Sequence, residues 1–441
     1  MKHNSRGSGL RWGKATSSGR RWRGWMAMAG AVTGVLVLMV VFQGMAEPAE
    51  GGRTLQVGDA VELRRALWRA GAGDEVVLGD GVYPMELVPE ASGDADRPLV
   101  IRAENSGRAV IDARGLGAAL RHDGREHVRI EGLVFQNASN GTQAAQAMVR
   151  PGNHWTLRDC VIRGADGGGL GIERVRDVLI QDCIIEQNGQ IGAAVSDSRR
   201  VELLRCVIRD NNPGVDRESQ LIARGVDQRV EYRGRWHVDA AWEAGGIKVS
   251  SSDTVGLVDC RAYGNFGPAL WADYANRNVV IYGNRVYENR NLSEGWEGVG
   301  ILVEYHAEGP VLVQRNEVHD NEGPGILVAE SRRVLVGRNV VIDDEIELRD
   351  MVRPEASLGE VQIVQNRLER ATIQTSLGDW RADSGAAKQI EIYRNQWVDG
   401  PRFDWGGEVY TDLERIRGTL GFEPELPPIE EPRDAAGVGP D

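Results

Sequence analysis

The sequence predicts an all-β fold, a single-stranded right-handed parallel β-helix solenoid with an N-terminal capping helix. Three observations predict it. An alternating apolar strand, a Cys or Asn, two or three residues and then Asn-Gly recurs as WTLRDCVIRG, VLIQDCIIEQNG, VELLRCVIRDNN, VGLVDCRAYGNFG and VLVQRNEVHDNEG. Two columns of polar residues keep step with it. Cys160, Cys183, Cys206, Cys260, Asn284, Asn316, Asn339, Asn366 and Asn395 form one, and Asn188, Asn211, Asn265, Asn289 and Asn321 the other. A third short strand follows in several copies, as in GAAVSDS, GIKVSSS and GILVEYH. Three period-two strands per unit leave no room for a helix, and self-similarity at this period means stacked units that bury their apolar face only on their neighbours.

Residues 1–24 carry Lys2, Arg6, Arg11, Lys14, Arg20, Arg21 and Arg23 and no acid, and Met26 to Phe42 is an uncharged apolar run. Residues 1–46 therefore read as a signal peptide cleaved after Ala46, or as an uncleaved N-terminal membrane anchor, and the rest as exported. Asp59 is an N-cap for a helix whose Ala60, Leu63, Ala66, Leu67 and Ala70 fall on one face. The solenoid is expected over residues 53–422, with Phe403 to Phe422 folding over its last coil. The acidic, Pro-rich residues 423–441 are expected to be disordered. The cysteines stack at strand spacing, about 4.8 Å and longer than a bridge prefers, so a reduced buried ladder is expected. No CxxC pair or Cys/His spacing suggests zinc.

The 441 residues carry a net charge of −13, and loss of residues 1–46, with seven positive charges and no negative one, takes this to −20. Such acidity argues against nucleic acid as a partner. The chain is expected to act as a monomer on a polysaccharide, acidic or neutral, touching a membrane only through an uncleaved N-terminus. After residue 46 the only lysines are Lys248 and Lys388.

Solenoid function concentrates where insertions interrupt the coils. Residues 213–243 and 291–297 are such insertions. The first contains Arg233, Arg235, Trp236 and Trp242, and the second Trp296, candidates for gripping or stacking on sugars. Beside them, the alternation places Lys248 level with Trp271 and Leu302, and Ser250 level with Asp273 and Glu304. Tyr305 and His306 follow at the corner.

The stretch from Asp59 to Asn137, with its helix, GDEVVLGDGVYP, RPLVIRAE and VRIEGLVFQN, resembles the opening of the polysaccharide lyase family that contains chondroitinase B and alginate lyases. That resemblance implies a pectin-lyase-like β-helix in which Asn211 and Glu243 bind Ca2+ and Lys248, followed by Ser250-Ser251, is the base. Two departures stand out. Ala241 occupies the place of a second acidic calcium ligand, and Ala269-Leu270-Trp271-Ala272 stands where the lyases show Leu-Arg-His. The ALWAD segment and the Asn-Gly pattern also resemble exported right-handed β-helix repeat proteins.

On the lyase or epimerase reading, calcium held by Asn211 and Glu243 would acidify the C5 proton of a uronate. A desolvated Lys248 would remove that proton, and Tyr305 or His306 would protonate the leaving oxygen. A second reading makes Asp273 and Glu304 the carboxylate pair of a glycoside hydrolase. A third is a non-catalytic carbohydrate-binding or structural surface protein, with Trp236, Trp242, Trp271 and Trp296 as platforms.

Overall fold

In a computed structural model of the chain, the described residues are 52–141, 144–212, 230–232, 235–237, 244–291, 297–306, 308–350, 358–375 and 389–424. They wind into a right-handed β-helix with three parallel sheets. Sheet A runs in 13 strands from Thr54–Val57 to Ile390–Tyr393, and sheet B in 12 from Gly81–Pro84 to Gln396–Trp397. Sheet C runs from Leu120–Arg121 to Phe403–Trp405 and ends in the antiparallel strand Glu408–Tyr410.

Strand alternation sends one residue in two to the interior, and the coil-to-coil register stacks like on like. In sheet A, Val178, Val201, Val255, Val279, Val311, Val334, Val361 and Ile390 lie in one continuous column. All eight are buried. β-branched side chains fill such a half-buried pleat well, which is why a sequence so rich in Val and Ile takes this form.

The corners explain the polar columns. Between sheets A and B the chain turns at a left-handed residue, as at Asp159, Asp182, Arg205, Asp259, Arg315, Arg338, Gln365 and Arg394. The next residue is the Cys or Asn of the first column. Left-handed backbone is unfavourable for residues other than glycine, and buried hydrogen bonds offset it. Asn284 donates its backbone N and Nδ2 to Asn316 Oδ1, both at 2.9 Å. The pattern repeats from Asn316 to Asn339, Asn366 and Asn395. Glu423 closes the column, accepting from Asn395 through Oε1. Glu423 is therefore part of this column. The four cysteines at the head of this column are buried, free thiols, as expected.

The column at the corner from sheet B to sheet C passes from Asn188 through Asn211, Asn265 and Asn289 to Asn321 and ends on a carboxylate. Asn321 donates its backbone N to Asp344 Oδ1 and its Nδ2 to Oδ2. Burial pushes the Asp344 carboxyl up to about 7, against the pull of the Asn321 bonds. The unfolded value is 3.8. Between those two pH values the folded chain keeps a proton that the unfolded chain has released, so stability falls as pH rises through the window. Asp344→Asn continues the asparagine column without this proton. Its melting temperature is expected to fall less between pH 5 and 8 than that of the wild type, and parallel profiles for the two would refute the assignment.

Both ends are closed. Asp59 accepts from the backbone N of Val61 and Glu62, and the helix Ala60–Arg69 buries Leu63, Ala66 and Leu67. At the far end, Phe403–Trp405 stays in sheet C as its last parallel strand, paired with Thr372–Thr375, rather than leaving the repeat. The chain then reverses, and Ile416 and Phe422 seal the core beside Phe403 and Trp405. Among the described residues no helix is long and apolar enough to cross a membrane. The expected signal peptide or anchor, residues 1–46, lies outside them.

Candidate functional site

The outer face of sheet C carries the predicted row. Lys248 pairs in register with Trp271, and Trp271 with Leu302, which puts Ser250, Asp273 and Glu304 in the next outward row. The row continues towards the N-terminus over small side chains, since Lys248 follows Ala194 and Ser250 follows Ser196. The segment Ala144–Gln146 bounds this shelf, with Ala144 packed on Ile191 and Ala194. Gly171 permits that approach, because a Cβ there would meet the Ala144 carbonyl oxygen at 1.9 Å. On the C-terminal side the boundary is charged. Arg349 joins Glu347 of its own strand to Glu297, at the return of the small insertion.

Within these limits the central feature is an ion pair. Lys248 Nζ lies 3.0 Å from Asp273 Oδ2, and both side chains are largely buried. The same ammonium stands 4.1 Å from the centroid of the Trp271 ring, a cation–π contact. Trp271 itself is only 2% exposed and packs with Val299, Leu302, Leu327 and Ala329 in an apolar cluster separate from the main core. The expected role of Trp271 as an open sugar platform is thereby corrected: it is the apolar floor under Lys248. Glu304 is 6% exposed.

The corner after Asp273 supplies a platform that sequence reasoning missed. Tyr274 is 53% exposed and stacks on Tyr305 with ring centroids 5.3 Å apart. Tyr274 precedes the left-handed Ala275 of its corner, whereas Tyr305 is itself the left-handed residue of the next coil.

His306 does not belong to the open face. At the corner from sheet C to sheet A a left-handed residue precedes a buried one, as in Asp197-Ser198, Ser251-Ser252, Ala275-Asn276, Tyr305-His306 and Glu330-Ser331. His306 is the buried member, its backbone N donating to Ser331 Oγ and its Nε2 lying 2.6 Å from the Gly309 carbonyl. Burial lowers its pKa. This placement corrects its reading as a proton donor to substrate.

Asn211 is likewise structural. It is fully buried. Its Oδ1 accepts from the backbone N and Nδ2 of Asn188, and its Nδ2 donates to Ile185 and Asn265. An oxygen so committed inside the coil does not fit the calcium site that the lyase resemblance implies, so this expectation is corrected. The large insertion contains an antiparallel pair, Val230–Tyr232 with Arg235–His237, which places the backbone of Arg235 and Trp236. Arg233, Trp242, Glu243 and Trp296 lie outside the described residues.

With this geometry in hand, a family model described as "Right handed beta helix region" matches residues 110–230 and 145–341, together more than half of the chain. No curated protein matches the sequence. Among solved structures, the chain is similar to the A-module of mannuronan C-5 epimerase AlgE4 from Azotobacter vinelandii. The TM-score is 0.57 at 14% identity, covering 80% of this chain and 93% of that one. It is similar to XylC, solved in complex with xylose, with a TM-score of 0.57 at 11% identity and coverages of 79% and 84%. It also resembles PfbA, a surface adhesin of Streptococcus pneumoniae, with a TM-score of 0.50 at 11% identity and coverages of 82% and 94%. At these identities the likeness is one of fold.

Proposed function

Because the chain belongs to the right-handed β-helix family, we propose that it acts on polysaccharides, as a uronate lyase or epimerase that works on the outer face of sheet C. The observation that carries this is the Lys248–Asp273 pair, 3.0 Å apart on a shelf whose other outward residues include Trp271, Leu302, Glu304 and the small Ala194, Ser196 and Ser250. A glycan laid along the shelf would run parallel to the helix axis, with one sugar over Tyr274.

The chemistry follows from the pair as a unit. Lys248 passes one ammonium proton to the Asp273 carboxylate, leaving a neutral amine and a neutral acid. The amine then takes the C5 proton of the uronate, and the electrons of that C–H bond move onto the carboxylate as an enediolate. The new ammonium stands beside that developing charge and stabilises it in a poorly hydrated setting. In a lyase the C4–O bond then breaks, with the departing oxygen taking a proton from the Tyr305 hydroxyl. In an epimerase a solvent water gives a proton to C5 from the opposite face, and the hydroxide it leaves takes up a proton from the Lys248–Asp273 pair. No step runs through calcium, since Asn211 is not available to hold it. Export through residues 1–46 completes the reading, because polymeric substrates lie outside the cell.

The experiment is an incubation of the chain with alginate, pectate, glycosaminoglycans and neutral glycans. Three readouts are followed together: ultraviolet absorbance of an unsaturated uronate, new reducing ends, and C5 inversion by NMR. A rise in absorbance with reducing ends, or inversion alone, is the expected result. Reducing ends without absorbance would transfer the reaction to Asp273 and Glu304 as hydrolytic carboxylates. These two are neighbours on successive coils, at the short spacing that suits retention. Saturable glycan retention with no chemistry would leave a binding protein. That reading is favoured by a Lys248 charge already matched by Asp273.

A further inference from the structure

At the corner from sheet C to sheet A, two imidazoles and a carboxylate come together. His127 and His154 occupy the same left-handed position on successive coils, with φ of 54° and 59°. Their rings lie parallel, 7° apart in plane and 4.4 Å between centroids. Glu126 stands beside them, and one ligand atom from each of the three lies within 4.8 Å of the others. Among the described residues no other group of three His, Cys, Asp or Glu side chains comes together in this way.

We propose that Glu126, His127 and His154 bind a divalent transition-metal ion of the zinc class. The donor set selects the ion: two neutral imidazoles with one carboxylate suit zinc, nickel or copper, whereas calcium and magnesium take oxygen ligands. All three side chains are half-buried, which leaves the site reachable from solvent. Three protein ligands leave a fourth tetrahedral position for water or another donor.

The surroundings orient these ligands as outer-sphere partners of a metal site do. Asn153 Nδ2 donates to Glu126 Oε1 at 2.8 Å, and Asn153 is itself fixed by the backbone N of Arg176. Asp177, the next residue in the left-handed column, lies 3.4 Å from His154 Nδ1 and is held in turn by Arg200. A proton held on Nδ1 towards Asp177 would leave the Nε2 lone pair for a metal. The sequence signal was present but unfamiliar, a second histidine one coil of 27 residues after the first, a spacing that Cys/His motifs do not use.

The full chain, without a polyhistidine tag and stripped with a chelator, is titrated with Zn2+ by calorimetry and with Co2+ by visible absorption. One equivalent of saturable binding is expected, with Ca2+ and Mg2+ failing to compete. His127→Gln with His154→Gln is expected to abolish binding, and Glu126→Gln to weaken it at least tenfold. The melting temperature of the wild type rises with Zn2+, since the ion binds only the folded corner, and that of the double variant does not. A third readout needs no variant: Zn2+ protects His127 and His154 from diethylpyrocarbonate, as seen by peptide mass. Absence of saturable binding, undiminished affinity in the double variant, or unprotected histidines would each overturn the proposal.

Discussion

Lys248→Ala is expected to lower turnover of the responsive polysaccharide by about 10²–10⁴-fold, the usual contribution of a positioned proton-transfer group. The circular dichroism should not change. The side chain projects outward from sheet C, and its neighbours Ile247 and Val249 supply the core contacts of that strand. Loss of the amine leaves Asp273 largely buried without its cation, so a modest fall in melting temperature accompanies the loss of activity. Lys248→Arg separates charge from basicity. A guanidinium keeps the cation that a uronate would meet but does not give up a proton in a protein. Proton abstraction therefore predicts that Arg retains binding and loses turnover, whereas a simple clamp predicts that Arg retains both. Full activity in Lys248→Ala would remove the lysine from the chemistry altogether.

Asp273→Asn probes the other half of the same unit. An amide keeps the shape and a contact to Nζ but cannot take the proton that Lys248 must lose. Its turnover should fall with that of Lys248→Ala, and the double variant should be no worse than either single one, as for residues that act together.

The fold was legible because a β-helix repeats its physical problem at every coil. Each coil needs inward Val, Ile or Leu at alternate positions and a polar residue that satisfies the corner backbone, and both recur in the sequence at the coil period. The Asp59 cap, the Asn284–Asn395 column and the pairing of Lys248 with Trp271 were all readable on this basis. The same repetition misled at the site. His306 occupies a position whose side chain points into the coil, which the corner geometry of a left-handed residue followed by a buried one reveals; for Asn211 the column was readable and the resemblance pulled the other way. Trp271 faces outward as expected, yet Leu302 and Leu327 on later coils give it an apolar bed, a matter of three coils at once. The Glu126–His127–His154 group was missed for a related reason. Its members are close across a coil, not along the chain.

Asn211→Ala distinguishes these two lives of one residue most sharply. In the column, Asn211 Oδ1 is the acceptor for two donors of Asn188, and its Nδ2 serves two further acceptors. Alanine leaves the two Asn188 donors buried without a partner, each at about 1–3 kcal/mol. A destabilisation of about 3–5 kcal/mol is therefore expected, large beside the total of about 5–15 kcal/mol that holds a typical domain. In a solenoid it should appear first as opening of the coils around Asn188 and Asn265, seen by hydrogen exchange at those amides. Asn211→Asp sharpens the contrast. As a calcium ligand Asp would serve at least as well as Asn. In the column it substitutes an acceptor for the donor that reaches Ile185 and Asn265, and buries a charge there, so it should destabilise nearly as much as alanine. Column behaviour predicts that both variants lose stability whether or not calcium is present. An Asn211→Asp chain that keeps its melting temperature and gains calcium-dependent activity would return this residue to the metal.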